Sequence, residues 1–321
     1  MVKKRILSCD GGGIRGKATA QFLKRLEAEL KNPLHTYFDF YAGTSTGSFI
    51  IAGLAYEKMT CGEIADTVYS VANAKTIMPH SLADDFLGLI QTQPKYNGKG
   101  KREVIDRYME DRLLDDTDKH VLVCGYDIVK DKPLFYKSYE PSPTRIRDVL
   151  DISSAAPVYY PPVASVSEGV VGIDGGVCAN NPVDMAYAEA LQLYGKDAEI
   201  EILSVGTGMS FDDTKSFREA RKTLKFGGIQ WLRDGSLLDI LMNGSQELIH
   251  TKTKQFSEAL GHKYTRVNGH IMETTMDDVS EKNIKKLAKV GDEWFDRFGA
   301  EIVAMLDHGD QKTTTTTKNK A

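Results

Sequence analysis

The longest apolar runs in this chain fall far short of the roughly 18 residues that cross a bilayer, so any membrane contact is expected to be peripheral. Cysteine is scarce and scattered. Cys9, Cys61, Cys124 and Cys178 show neither a CxxC pair nor a Cys/His metal spacing, which argues against a disulfide framework and suits reduced thiols in a cytoplasmic protein. Surplus positive charge is absent too: the formal net charge is −4, so nucleic acid is not an expected partner. At the amino terminus the basic "MVKKR" leads into only Ile6 and Leu7, against the ~7–15 apolar residues of a signal-peptide core, and export is not expected. Neither a Pro/Gly-rich linker nor an internal repeat divides the 321 residues. The reading is one domain over 1–306, followed by a disordered tail over 307–321 that ends "QKTTTTTKNKA".

What is present is patterned. Arg5 to Cys9 reads as a buried strand, and the segment after it sets Ala18, Phe22, Leu23, Leu26 and Leu30 on one helical face. "TYFDFYAG" followed by "TSTGSFIIAGLAYEKM" repeats the strand-turn-helix order within thirty residues. Further strands are predicted at 120–128, 169–174 and 200–208, with a helix opening at Pro182 as its first residue. Such alternation specifies an α/β fold, a three-layer α/β/α sandwich around a mostly parallel sheet. A closing helix is predicted over 280–306, N-capped by Ser280, with Gly291 the one gap in its apolar stripe. Residues 75–100 are the least regular stretch and are expected to form a mobile flap. Residues 226–242, which include Trp231, are read first as core and second as a surface resting on lipid.

Three loops carry candidate chemistry. "ILSCDGGGIRG" places Gly11, Gly12, Gly13 and Gly16 between a strand and a helix, a loop of amides with few side chains that suits an anion. Its spacing has the form of a dinucleotide fingerprint, but Asp10 would set a carboxylate beside a pyrophosphate and the second strand ends in Ser45 rather than an acidic residue. A tight turn with no ligand is the structural alternative. "GTSTG", Gly43 to Gly47, is a G-x-S-x-G turn before an apolar helix, which lifts Ser45 out of the sheet as a nucleophile. Because the first two strands are consecutive and expected to be neighbours, the amides of Gly12 and Gly13 can face a carbonyl attacked by Ser45. Arg15 either adds positive charge near substrate or holds the loop. "GIDGG" sets Asp174 at a strand end before Gly175 and Gly176, where a dry pocket can raise a carboxylate towards useful basicity. The order Ser45, Asp174, then His250, His262 or His270 also allows a triad, yet only one strand precedes the Ser45 strand and no histidine falls at a predicted strand end.

Taken together, "DGGGIRG", "GTSTG" and "DGG" resemble the patatin-like phospholipase family, and "PKYNGKGKREVI", "SSAAPVYYPP", "ANNP", "ILSVGTG" and "QWLRDGSLLDILM" extend the resemblance over nearly the whole chain. The resemblance implies hydrolysis of fatty-acyl esters of phospholipids or other glycerolipids by a Ser45–Asp174 dyad. It also implies an oxyanion loop at Gly11, Gly12 and Gly13, no metal and no cofactor. Ser48 departs from the glycine of many relatives, and Cys178 from a large aromatic residue common in bacterial ones. Some relatives are antiphage effectors switched on by cyclic oligonucleotides and some plant relatives are storage proteins; no motif in the chain selects either role, and oligomeric state has no sequence signal.

Overall fold

Side chains alternate strictly across the first strand, β1 (Lys3–Cys9), with Leu7 and Cys9 entering one core and Ile6 the other. The same alternation recurs in β2 (Phe40–Thr44), β3 (His120–Asp127) and β7 (Glu199–Val205), where Tyr41, Val121, Val123, Leu203 and Val205 face the first core. Phe40, Leu122, Ile200 and Ile202 face the second. Two apolar faces on one sheet require cover on both sides, which gives three layers. The computed structural model describes residues 3–79, 93–109, 111–165, 168–209, 236–271 and 275–307, with 236–243 described by backbone only.

The sheet also contains β4 (Lys132–Lys137), β5 (Val163–Ser165), β6 (Val170–Asp174) and β8 (Lys263–Val267), in the order β5-β6-β3-β2-β1-β7-β8 with β4 on β3. The pairs β3·β2, β2·β1, β1·β7 and β7·β8 are parallel, whereas β4 and β6 on β3, and β5 on β6, are antiparallel. The mostly parallel sandwich is therefore observed, with an antiparallel annex on one side. Among the described residues the α-helices of four or more residues are α1 (Gly16–Glu29), α2 (Thr46–Ala55), α3 (Val71–Ile77), α4 (Lys99–Tyr108), α5 (Ile146–Ser153), α6 (Gly176–Ala179), α7 (Val183–Tyr194), α8 (Ser236–Ala259) and α9 (Glu281–Asp307). Apolar side chains of α1, α2, α5 and α9 fill the first core, and those of α7 the second.

Two helical expectations are refined. Pro182 stands at the N-cap of α7, so the helix begins at Val183, one residue after the predicted first helical position. Helix α9 runs unbroken through Gly291 because α1 crosses it there: a Cβ would lie 2.5 Å from the Ala18 carbonyl oxygen. That close approach outweighs the ~1 kcal/mol that glycine costs a helix. Ser280 does cap α9, accepting the Asn283 amide at 3.2 Å. The predicted flap is helical at α3 and from Lys99 on, while 80–92 lie outside the described residues. Residues 226–235, with Trp231, and 308–321 of the predicted tail also lie outside them, and Asp307 ends α9.

Register brings the chemistry together. Along β3, β2 pairs as far as Thr44 with Cys124, and β6 takes over at the next position, Gly125 with Asp174. β4 overlaps both registers, so it occupies the opposite edge of β3. The carboxyl ends of β2 and β6 therefore meet head to head on one edge of β3, with Ser45 and Asp174 at the junction.

Candidate active site

At the end of β2 the chain turns sharply into α2, and Ser45 takes φ 52° and ψ −123°. A non-glycine residue holds such a backbone only when its surroundings fix it. Here the Ser45 amide donates to Ser153 Oγ at 3.0 Å, Ser153 Oγ in turn donates to the Cys124 carbonyl at 2.6 Å, and the Ser45 carbonyl accepts from the Ser48 amide at 2.9 Å and from the Ser48 hydroxyl. Ser48 thus braces the turn. Gly47 is required by contact: a Cβ there would lie 2.1 Å from the Cys9 carbonyl oxygen, where the first turn of α2 meets the end of β1. Gly43 lies within β2, and Gly16 opens α1.

Asp174 ends β6 and is buried, and Gly175 and Gly176 follow it into α6. Its carboxylate accepts the Gly176 amide at 2.7 Å, its own amide donates to the Ala155 carbonyl at 3.0 Å, and the Ser45 side chain lies near enough to favour its ionised form. Burial pushes its pKa up to about 6; the Ser45 side chain, the Gly176 amide and the Lys101 cation restrain the rise. A carboxylate of that basicity is ionised at neutral pH and still able to accept a proton.

The glycine loop leaves β1 beside this pair. Gly11 is anchored, its amide donating to the Asn180 carbonyl at 3.0 Å and its carbonyl accepting from Thr207 Oγ1 at 2.7 Å and Asn180 Nδ2 at 3.3 Å. Gly12 and Gly13 line the adjacent cavity, and their amides meet no acceptor among the described residues. Gly13 adopts φ 59°. Arg15 is 3% exposed and its Nε donates to the Gly12 carbonyl at 3.4 Å, so it braces the loop from behind. Below the loop, Asp10 is paired through both carboxylate oxygens with Arg266 of β8, whose Nη1 also donates to Ser204 Oγ at 2.7 Å. Burial raises the Asp10 pKa and the guanidinium opposes the rise.

Ser45, Asp174, Gly12 and Gly13 open onto a cavity of about 1000 Å³, its open mouth included. Most of its wall is apolar, contributed among others by Phe49, Val68, Ile77, Met78, Val104 and Met276. Lys101 adds a buried cation. None of the described histidines lines it. His250 Nδ1 pairs with the Tyr264 hydroxyl at 2.9 Å, and His262 pairs with the Tyr187 hydroxyl and, at 3.1 Å, with the Ala198 carbonyl. Among the described residues no group of three or more His, Cys, Asp or Glu is arranged to hold a metal ion, and no helix is long and apolar enough to cross a membrane.

Several residues of the site carry a weak sequence signal or none. Ser153, Asn180 and Thr207 lie within "SSAAP", "ANNP" and "SVGTG", stretches that stand out as motifs without revealing what each residue touches. Lys101 lies within "PKYNGKGKREVI" in the same way, and Arg266 lies in an ordinary charged segment and is found only by the fold.

The family model for patatin-like phospholipases matches residues 7–187. Patatin-like protein 1 of Arabidopsis thaliana is 30% identical over 335 residues, an alignment covering 89% of this chain and 80% of the relative. Patatin-08 of Solanum tuberosum is 26% identical over 329 residues, covering 89% and 82%. Among solved structures, VipD from Legionella pneumophila superposes with a TM-score of 0.48 at 13% identity, over 94% of this chain and 67% of that one.

Proposed function

The chain belongs to the patatin-like phospholipase family, a lipid hydrolase family, and from that premise we propose that it cleaves fatty-acyl esters of glycerolipids with Ser45 as nucleophile and Asp174 as base. The observation that carries this reading is the meeting of two strand ends, which sets Ser45 on its strained turn beside a buried Asp174 carboxylate, both opening onto one apolar cavity. As Ser45 Oγ attacks the ester carbonyl carbon, Asp174 takes the hydroxyl proton. The carbonyl oxygen becomes an oxyanion held by the amides of Gly12 and Gly13, with the positive end of α2 directed at the same place. The ester C–O bond then breaks and Asp174 returns the proton to the leaving alcohol. Water, deprotonated by Asp174, attacks the acyl-enzyme, and the fatty acid departs as Ser45 regains its proton.

Of the three loop glycines, Gly11 serves in this reading as the anchor, since its amide is already committed to Asn180. Arg15 holds the loop. The apolar wall suits an acyl chain. A dyad without histidine is supported by the pairing of His250 and His262 to tyrosines away from the cavity. One catalytic domain over 1–306 followed by a tail remains the proposed organisation, with α9 carrying the helical chain one residue further, to Asp307. The proposed setting is a cytoplasm, where the free thiols of the four cysteines stay reduced, with peripheral contact to lipid during turnover.

The experiment is release of fatty acid from a panel of phospholipids and neutral glycerolipids by purified wild type, Ser45→Ala, Asp174→Asn and the His250, His262 and His270 alanine variants. Activity lost in the first two and kept in the histidine variants is expected. Loss in a histidine variant with Asp174→Asn still active overturns the dyad, and no hydrolysis of any lipid overturns the activity.

A further inference from the structure

The mechanism above leaves unused the one cationic side chain among the described residues that line the cavity. Lys101, on α4, has a side chain 3% exposed and lines the same cavity as Ser45 and Asp174. Its Nζ donates to the Asp151 carbonyl at 2.7 Å, lies 3.0 Å from Asp151 Oδ1, and sits 4.8 Å from the centroid of the Tyr160 ring. Burying an ammonium is costly, and an apolar residue of similar length would fill the same space.

Asp151 belongs to the last turn of α5, and that turn is tied to both reacting residues. Two residues on, Ser153 Oγ accepts the Ser45 amide; two further on, the Ala155 carbonyl accepts the Asp174 amide. The segment Asp151–Ala155 is thus a strut holding the strained Ser45 backbone at one point and the base at another. Lys101 pins this strut at the carboxyl end of the helix, where free carbonyls favour a cation.

We propose that Lys101 is a positioning residue for the Ser45–Asp174 pair: through Asp151 it fixes the last turn of α5, and its charge favours the ionised form of Asp174. This rests on the assignment of Ser45 and Asp174 made above. The ionisable side chains around Asp174 are Lys101 of α4, Tyr160 of the following loop, Cys124 of β3 and Cys178 of α6, so Lys101 is the cation among them. Lys101 itself is faced by Asp151 and by Arg102, whose Nη1 lies 3.7 Å from Asp151 Oδ2 and 2.6 Å from Asp148 Oδ1.

The test is the pH profile of kcat and KM on a soluble ester for wild type, Lys101→Met, Lys101→Arg, Asp151→Asn and Ser45→Ala. Lys101→Met is expected to lower kcat about ten- to a hundredfold with little change in KM, the scale of a small misplacement of reacting groups. It also moves the acid limb of the profile to higher pH, because an Asp174 without its cation holds its proton more tightly. Lys101→Arg recovers part of the loss. Asp151→Asn keeps the cation and removes its competing carboxylate, so its acid limb moves to lower pH and carries the test independently if Lys101→Met does not fold. Acid limbs at the wild-type position in the folded variants, or shifts of one sign in both, overturn the inference. Activity surviving in Ser45→Ala instead overturns the assignment beneath it.

Discussion

Replacing Asp174 by asparagine is expected to abolish turnover and to stabilise the folded protein at neutral pH. The magnitude follows from burial. Desolvation raises this carboxyl from 3.8 to about 6 in the folded chain, and at about 1.4 kcal/mol per pH unit the ionised group destabilises the fold by about 3 kcal/mol. The sign follows from the raised value. Below about pH 4 the group is protonated in both states and costs nothing; as pH rises through about 6 the unfolded chain has already released the proton, and the relative stability of the fold is lost. Asparagine keeps an acceptor for the Gly176 amide, so little is given up in exchange. Urea unfolding of both proteins between pH 4 and 8 is the assay. The variant should match wild type near pH 4, gain steadily towards pH 6 and lead by about 2–3 kcal/mol above pH 7. A gap that does not change with pH, or a variant less stable than wild type at pH 8, refutes the reasoning.

Other consequences can be measured with the same protein. The wild-type kcat/KM should fall below an apparent pKa of about 6, because the base must be ionised to accept the Ser45 proton; an acid limb near 4 would contradict a buried base. Gly47→Ala sets a methyl 2.1 Å from the Cys9 carbonyl oxygen, so α2 must lift, and a stability loss of about 1–3 kcal/mol with a large fall in kcat is expected from denaturation and ester assays. Arg266→Met strands the buried Asp10 carboxylate at a cost of about 3–5 kcal/mol. Adding Asp10→Asn should recover much of that loss in chemical denaturation, and a double variant no more stable than the single would show that the pair is not the cause.

The central strands were readable from the sequence because each combines a short apolar run with a turn signal, as "RILSC" before glycine and "IEILSV" before "GTG" do. β4, β5 and β8 carry no such signal, for a physical reason. They are edge strands, β4 and β8 with lysines at Lys132, Lys137 and Lys263, and their burial is too incomplete to impose alternation. The site divides in the same way. Ser45, Asp174 and the loop glycines are marked by turn chemistry, which is local. The residues that brace them come from far along the chain: Ser153 is 108 residues from Ser45, and Arg266 is 256 residues from Asp10. Pairings at such separation follow from strand order and register. Nor does a motif reveal that β6 runs antiparallel to β3, which is what brings Asp174 face to face with the end of β2.

The most direct test of the account is the site of covalent capture by a serine-directed fluorophosphonate bearing a long acyl chain. One adduct per chain is expected by intact mass, mapped by peptide mass spectrometry to Ser45, absent from Ser45→Ala and formed much more slowly in Asp174→Asn. An adduct on any other residue, or labelling of Ser45→Ala at the wild-type rate, contradicts the assignment of Ser45 as the nucleophile.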